Sequence, residues 1–234
     1  MAKTTKSGER YFSRATIDFL RELDLNNRRA WFNANKDRYE EHVKAPALNF
    51  IADFAPHLKK ISPHFKADAR PVGGSLFRIY RDVRFSKDKN PYKTYVGIRF
   101  PHVTAKDVHA PGFYMHVDIE GTWMGCGIWH PDSGSLKKIR AAIDQDSTRW
   151  KRAKGAKTFR DHYELSGDSL KRAPTGFPPD HPLIDDLRRK DFIGVSKLSQ
   201  RTVTGPDLIP EFTARCRAGK PFQRFLCDAL GVKY

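Results

Sequence analysis

The stretch Phe113-Tyr114-Met115-His116-Val117-Asp118-Ile119-Glu120-Gly121-Thr122-Trp123-Met124-Gly125-Cys126-Gly127-Ile128 reads as two alternating runs around Glu120-Gly121. Successive side chains of a strand point to opposite faces, so a period of two marks a half-buried strand. A two-residue turn at Glu120-Gly121 predicts a hairpin. In that register Ile119 faces Thr122, Val117 faces Met124, Met115 faces Cys126 and Phe113 faces Ile128. This face is apolar and belongs to a core. The other face carries Tyr114, His116, Asp118, Trp123, Gly125, Gly127 and, at the end, Trp129. A slip of one residue would mix the two sets, so the pattern fixes the faces.

The neighbouring segments extend this reading. Residues 95–100 alternate in the same way, with Val96, Ile98 and Phe100 on one side and Tyr95, Gly97 and Arg99 on the other. Leu76 to Tyr80 and Phe192 to Lys197 predict two further strands. Ile17, Leu20 and Leu23 predict a helix ending near Leu25, and Asn27 offers a cap for a second helix carrying Trp31 and Phe32. Leu48, Ile51, Phe54, Leu58 and Ile61 share one helical face, which predicts a core stripe. Residues 101–111 and 172–182 are rich in proline and predict loops, and residues 131–143 predict a helix. Pro206 and Pro221 open two closing helices. The expected fold class is α+β, a central antiparallel sheet with helices from both ends of the chain packed on it. The expected organisation is a mobile segment at 1–10 followed by one globular domain at 11–234.

The 234 residues are 39% hydrophobic and 30% charged, a balance that suits a globular chain rather than a disordered one. The net charge is +16, which attracts polyanions over a Debye length. Three cysteines, Cys126, Cys216 and Cys227, show no CxxC spacing, which argues against a disulfide framework or a zinc site. No apolar run approaches the ~20 residues of a membrane span, and the N-terminus has no apolar signal core. The expectation is a cytoplasmic protein without a membrane partner.

The richest chemistry lies in residues 78–93, Arg78-Ile-Tyr-Arg81-Asp82-Val-Arg84-Phe85-Ser-Lys87-Asp88-Lys89-Asn-Pro91-Tyr92-Lys93. Six cations share this segment with only two acids, Asp82 and Asp88. An arginine fork pairs with two oxygens at once, the geometry of phosphate and carboxylate recognition. Arg78, Arg81 and Arg84 are therefore candidate forks, with Lys87, Lys89 and Lys93 as point charges. The competing reading is a loop braced internally by its two acids. Exposed pairs of that kind contribute about 0–1 kcal/mol each, and two acids cannot neutralise six bases.

This segment also resembles the signature of the domain-of-unknown-function family 2461, a family of bacterial proteins of about this length with relatives inside longer fungal chains. Asn26-Asn27, Trp31-Phe32, Gly127-Ile128-Trp129 and Lys190-Asp191-Phe192 extend the resemblance over nearly the whole chain. It implies kinship of fold and brings no mechanism with it.

The polar sheet face offers a second candidate. Glycines inside strands mark close approach by a ligand or by packing. Gly97, Gly125 and Gly127 would floor a depression walled by Tyr95, Trp123 and Trp129, with Arg99 and Tyr114 in the lining. In it His116 would serve as general base or proton donor and Asp118 would orient it. The alternative is a helix packed on this face, admitted by the glycines. His116-x-Asp118 supplies two ligands where structural zinc takes four, so neither metal nor cofactor is expected. Cys126 falls on the apolar face and is expected to be inert. GxSxG, P-loop, GxGxxG and HExxH patterns are missing. The expected partner is an anionic small molecule, a phosphate or carboxylate. The alternative is nucleic acid, from the net charge and the basic stretch 149–160. Tyr80, Phe85 and Tyr92 would either stack on bases or anchor in the core.

Overall fold

A computed structural model describes residues 11–104 and 111–234. The mobile segment expected at 1–10 lies outside the described residues, as does the middle of the loop expected at 101–111. The chain opens with helices α1 (Arg14–Leu25), α2 (Arg29–Ala34) and α3 (Lys36–Tyr39), a π turn at Glu40–Lys44, and α4 (Ala45–Ile61). Strands β1 (Val96–Pro101), β2 (Gly112–Val117) and β3 (Thr122–Ile128) follow. Then come α5 (Ser133–Gln145), α6 (Ser147–Gly155), α7 (Lys157–Arg160), β4 (Glu164–Ser166), α8 (Ile184–Leu187) and β5 (Phe192–Leu198). Helices α9 (Gln200–Thr204), α10 (Leu208–Ala218) and α11 (Lys220–Ala229) close the chain. The architecture is α+β, as expected.

The five strands lie in the order β1-β2-β3-β5-β4, and every pairing is antiparallel. Leu76 to Tyr80 is not a strand: Leu76 bridges Ile98 and Tyr80 bridges Tyr92 as isolated pairs. The hairpin also differs in register. Met115 pairs with Met124, Val117 with Thr122 and Phe113 with Cys126. The loop is therefore residues 118–121 and not Glu120-Gly121 alone. Asp118 is the reason: one carboxylate oxygen accepts from the backbone N–H of both Glu120 and Gly121, each at 2.9 Å. A side chain that satisfies turn amides builds the turn around itself. The shift is two residues, an even number, so both faces survive it.

The apolar face packs on helices. Phe54 of α4 touches Phe100 of β1 and Phe212 of α10, with ring centroids 5.0 and 4.9 Å apart. On α4 the buried stripe is Ala47, Phe50, Ile51, Phe54 and Leu58, while Leu48 and Ile61 sit at its margin. A second cluster joins Trp150 of α6 to Phe192 of β5 and to Phe222 and Phe225 of α11. Gly127 lets β3 approach β5: its φ is +121°, and a side chain there would collide with the Phe192 carbonyl. Cys126, Cys216 and Cys227 are all buried thiols, as the alternation predicts for Cys126. Burial pushes the Cys126 thiol up to about 12.

Candidate functional site

The second sheet face is half-buried, and its rings cover one another. The imidazole of His116 lies between Tyr95 and Trp123, with centroids 4.4 and 4.9 Å away and interplanar angles of 29° and 16°. The strand order explains the stack. Trp123 of β3 lies directly opposite His116 of β2, and Tyr95 leads into β1 on the other side. Cross-strand aromatic neighbours of this kind are the stabilising unit of a sheet face.

Both nitrogens of His116 are engaged. Nε2 meets Asp118 Oδ2 at 2.8 Å and Nδ1 meets the Tyr114 hydroxyl at 3.1 Å. Asp118 is held by its turn amides, so the chain Asp118–His116–Tyr114 has one fixed end. Its other end lies over Gly97, where a Cβ would stand 2.9 Å from the Tyr114 oxygen and equally near Phe77. Burial, then Tyr95 and Asp118, hold the Tyr114 phenol well above its ordinary range, so it stays protonated.

The structure thus brings Tyr95, Gly97, Tyr114, His116, Asp118 and Trp123 together. Arg99 lies opposite Tyr114 in the β1–β2 register and takes part in no ion pair among the described residues. The rings of Tyr114 and Trp123 lie beside each other at 5.2 Å, and Gly125 sits beneath them. Two expected members are elsewhere. Gly127 is occupied with the β5 backbone, and Trp129 lies beyond the strand end, 53% exposed, with its ring against His130.

The basic segment is a loop attached to the free edge of β1. Phe77 donates its backbone N–H to Gly97 O and Arg99 donates to Ser75 O, both at 2.9 Å. The loop closes where Arg81 N–H meets Pro91 O at 2.9 Å and Lys93 N–H meets Ile79 O at 2.7 Å. Tyr92 anchors it: the ring stacks on Phe32 at 4.2 Å and is 3% exposed. Asn27 clamps the same residue, since its amide donates to Tyr92 O and accepts from Tyr92 N–H, each at 3.0 Å. Asn27 is therefore not a helix cap; that position belongs to Arg28. Its partner lies 65 residues away, beyond any local pattern.

Both acids of the loop are engaged locally. Asp82 pairs with Arg84 at 2.7 Å and Asp88 pairs with Arg81. These guanidinium groups hold the Asp82 and Asp88 carboxyls below their ordinary range. Lys89 donates to Val83 O at 3.1 Å, and Lys93 donates to Arg78 O and Tyr80 O at 2.6 and 2.9 Å. Burial, with Arg78 and Arg81 nearby, pulls the Lys93 ammonium below its ordinary range. Among the described residues Arg78 and Lys87 make no ion pair, and no carboxylate from outside the loop reaches any of the six cations. Burial pushes the Tyr95 phenol above its ordinary range, against the opposing charge of Arg81. Of the three loop aromatics only Tyr92 is core. Tyr80 is 51% exposed and Phe85 is 96% exposed at the tip.

Asp191 is a further residue that spacing did not single out. It is 2% exposed and accepts from the backbone N–H of His130 at 2.7 Å and of Asp168 at 2.9 Å. It ties the exit of β3 to the connection between β4 and α8. Among the described residues no cluster of three His, Cys, Asp or Glu side chains has metal-site geometry. No helix of the described chain is long and apolar enough to cross a membrane.

The family model described as "Conserved hypothetical protein (DUF2461)" aligns with residues 15–225, and the chain belongs to that family. No curated protein and no solved structure matches the chain.

Proposed function

We propose that this member of the DUF2461 family binds a small phosphorylated or carboxylated molecule where the basic loop meets the half-buried sheet face. The observation that carries this reading is the charge balance of the loop. Two acids engage two arginines, and among the described residues the remaining four cations meet carbonyl oxygens or solvent and no carboxylate. A bound oxyanion supplies the missing charge, and the fork-shaped donor at Arg78 suits it. The Tyr114 hydroxyl, over Gly97, is the group of the Asp118–His116–Tyr114 chain that such a ligand would meet. His116 then acts through Tyr114 and not directly, because both of its nitrogens are engaged. Thermal shift against sugar phosphates, nucleotides and dicarboxylates tests the reading, since a ligand of the native state raises Tm. The expected result is a rise that the Arg78→Ala/Lys87→Ala double variant reduces. No rise with any member of the panel overturns it.

A second reading, nucleic-acid binding, draws on a different observation. Phe85 is 96% exposed beside exposed cations at the loop tip, the combination that stacks on unpaired bases. The sheet face gives this reading less support, because the faces of His116, Tyr95 and Trp123 already cover one another. Phe85→Ala separates the two readings. It weakens oligonucleotide binding at ~50 mM salt if nucleic acid is the partner and leaves small-anion binding unchanged.

A further inference from the structure

Two surface grooves lie away from the basic loop, and their charges differ. The first, about 720 Å³ between α6 and α11, contains Asp146 and Asp228 beside its arginines, and Arg149 pairs with Asp228. The second, about 830 Å³, lies between α5 and the loop at residues 170–177. Its lining has four cations, Lys137, Arg140, Lys171 and Arg172, and no acid. Leu136 and Phe177 are among its apolar lining residues. The volume falls within the range of small-molecule sites.

Arg140 distinguishes this groove from a chance gathering of surface lysines. It is only partly exposed. Its Nε donates to Leu187 O at 2.7 Å and its Nη2 to Arg189 O at 3.1 Å. Those carbonyls fix the guanidinium in place without neutralising it, and among the described residues no carboxylate pairs with it. A desolvated charge without a counter-charge is costly, so a fixed one at the wall of a groove favours an anion beside it. Lys137, Lys171 and Arg172 are exposed at the same groove and likewise take part in no ion pair among the described residues.

We infer that this groove is a second binding site, independent of the basic loop, for a phosphate monoester with a compact apolar body. Four positive charges favour a dianion over a monoanion. Leu136 and Phe177 give the body an apolar surface, so the ester binds more tightly than its free headgroup.

Calorimetric titration tests the site with four probes: phenyl phosphate, inorganic phosphate, benzoate and benzyl alcohol. The expected order of affinity is phenyl phosphate first, then benzoate and inorganic phosphate, with no heat from the alcohol. Lys171→Glu/Arg172→Glu is expected to weaken phenyl phosphate at least about tenfold, a change of roughly 1.4 kcal/mol, with an unchanged unfolding transition. Phe177→Ser is expected to bring phenyl phosphate down to the level of inorganic phosphate. Arg78→Ala/Lys87→Ala, in the basic loop, is expected to leave intact the component of phenyl phosphate binding that Lys171→Glu/Arg172→Glu weakens, so failure here and failure of the loop reading are distinguishable. Equal affinity for phenyl phosphate and inorganic phosphate overturns the inference. So does tighter binding of benzoate than of phenyl phosphate, or insensitivity to the charge reversal.

Discussion

The two faces of the central sheet come from alternate residues of the same strands, and they are covered in different ways. On one face Phe100 meets Phe54 of α4 and Phe212 of α10, with nothing exposed. On the other, His116 is covered by Trp123 of β3 and by Tyr95, which leads into β1. The first face depends on helices brought from both ends of the chain. The second is finished within the sheet and stays partly open. A histidine, a fixed carboxylate and a phenol sit on the less covered face, next to a loop whose cations outnumber its acids.

The largest test of this contrast is a pair of truncations. Phe100→Ala opens a cavity in the helix-covered core and is expected to cost about 3–5 kcal/mol in denaturant unfolding. Trp123→Ala removes one cover of the His116 stack, where an aromatic pair is worth about 0.5–1.5 kcal/mol beyond its buried area, so a smaller loss is expected. Equal losses would break the contrast. Asn27→Ala comes next, since it removes both hydrogen bonds that clamp Tyr92. The expected cost is about 1–3 kcal/mol, with faster hydrogen exchange at the Tyr92 amide. That variant sharpens the contrast by separating loop attachment from loop charge.

Asp118→Asn is expected to change stability by less than about 1 kcal/mol, because an amide oxygen still accepts from the turn N–H groups. It should nevertheless shift the imidazole NMR signals of His116, whose Nε2 partner is altered. The smallest expected effect is the pH response of Asp68. Hydrogen bonds from Arg70, together with Lys66, hold its carboxyl below the ordinary range. A folded-state pKa below the unfolded one contributes stability above the unfolded value, lost as pH falls through the folded one. Tm is therefore expected to fall below about pH 4, and less steeply in Asp68→Asn. An unchanged acid slope in that variant would remove Asp68 from the account.

The sheet faces were legible in the sequence because a period of two survives any even shift. The hairpin register was not, because Asp118 builds its own turn and alternation alone is blind to a slip of two residues. The helices at both ends followed from apolar spacing and from Pro206 and Pro221. Residues 76–80 look like a strand in composition, yet the segment meets the β1 edge at Leu76 and Phe77 and then turns into the loop. At the candidate site, Tyr114, His116, Asp118 and Trp123 were readable from strand alternation. Their mutual saturation was not, since it depends on ring orientation. Asn27 and Asp191 act over long sequence separations. The groove at α5 joins residues more than thirty positions apart with no shared pattern.

The charge imbalance of the basic loop is tested most directly by calorimetric titration of pyrophosphate at ~50 mM salt, where screening is weak. The wild type is compared with Arg78→Ala/Lys87→Ala and, as a control for the second groove, with Lys171→Glu/Arg172→Glu. The account predicts a binding component that is at least about tenfold weaker in the loop variant and persists in the groove variant. Pyrophosphate binding that is indifferent to Arg78 and Lys87, or missing from the wild type, would contradict it.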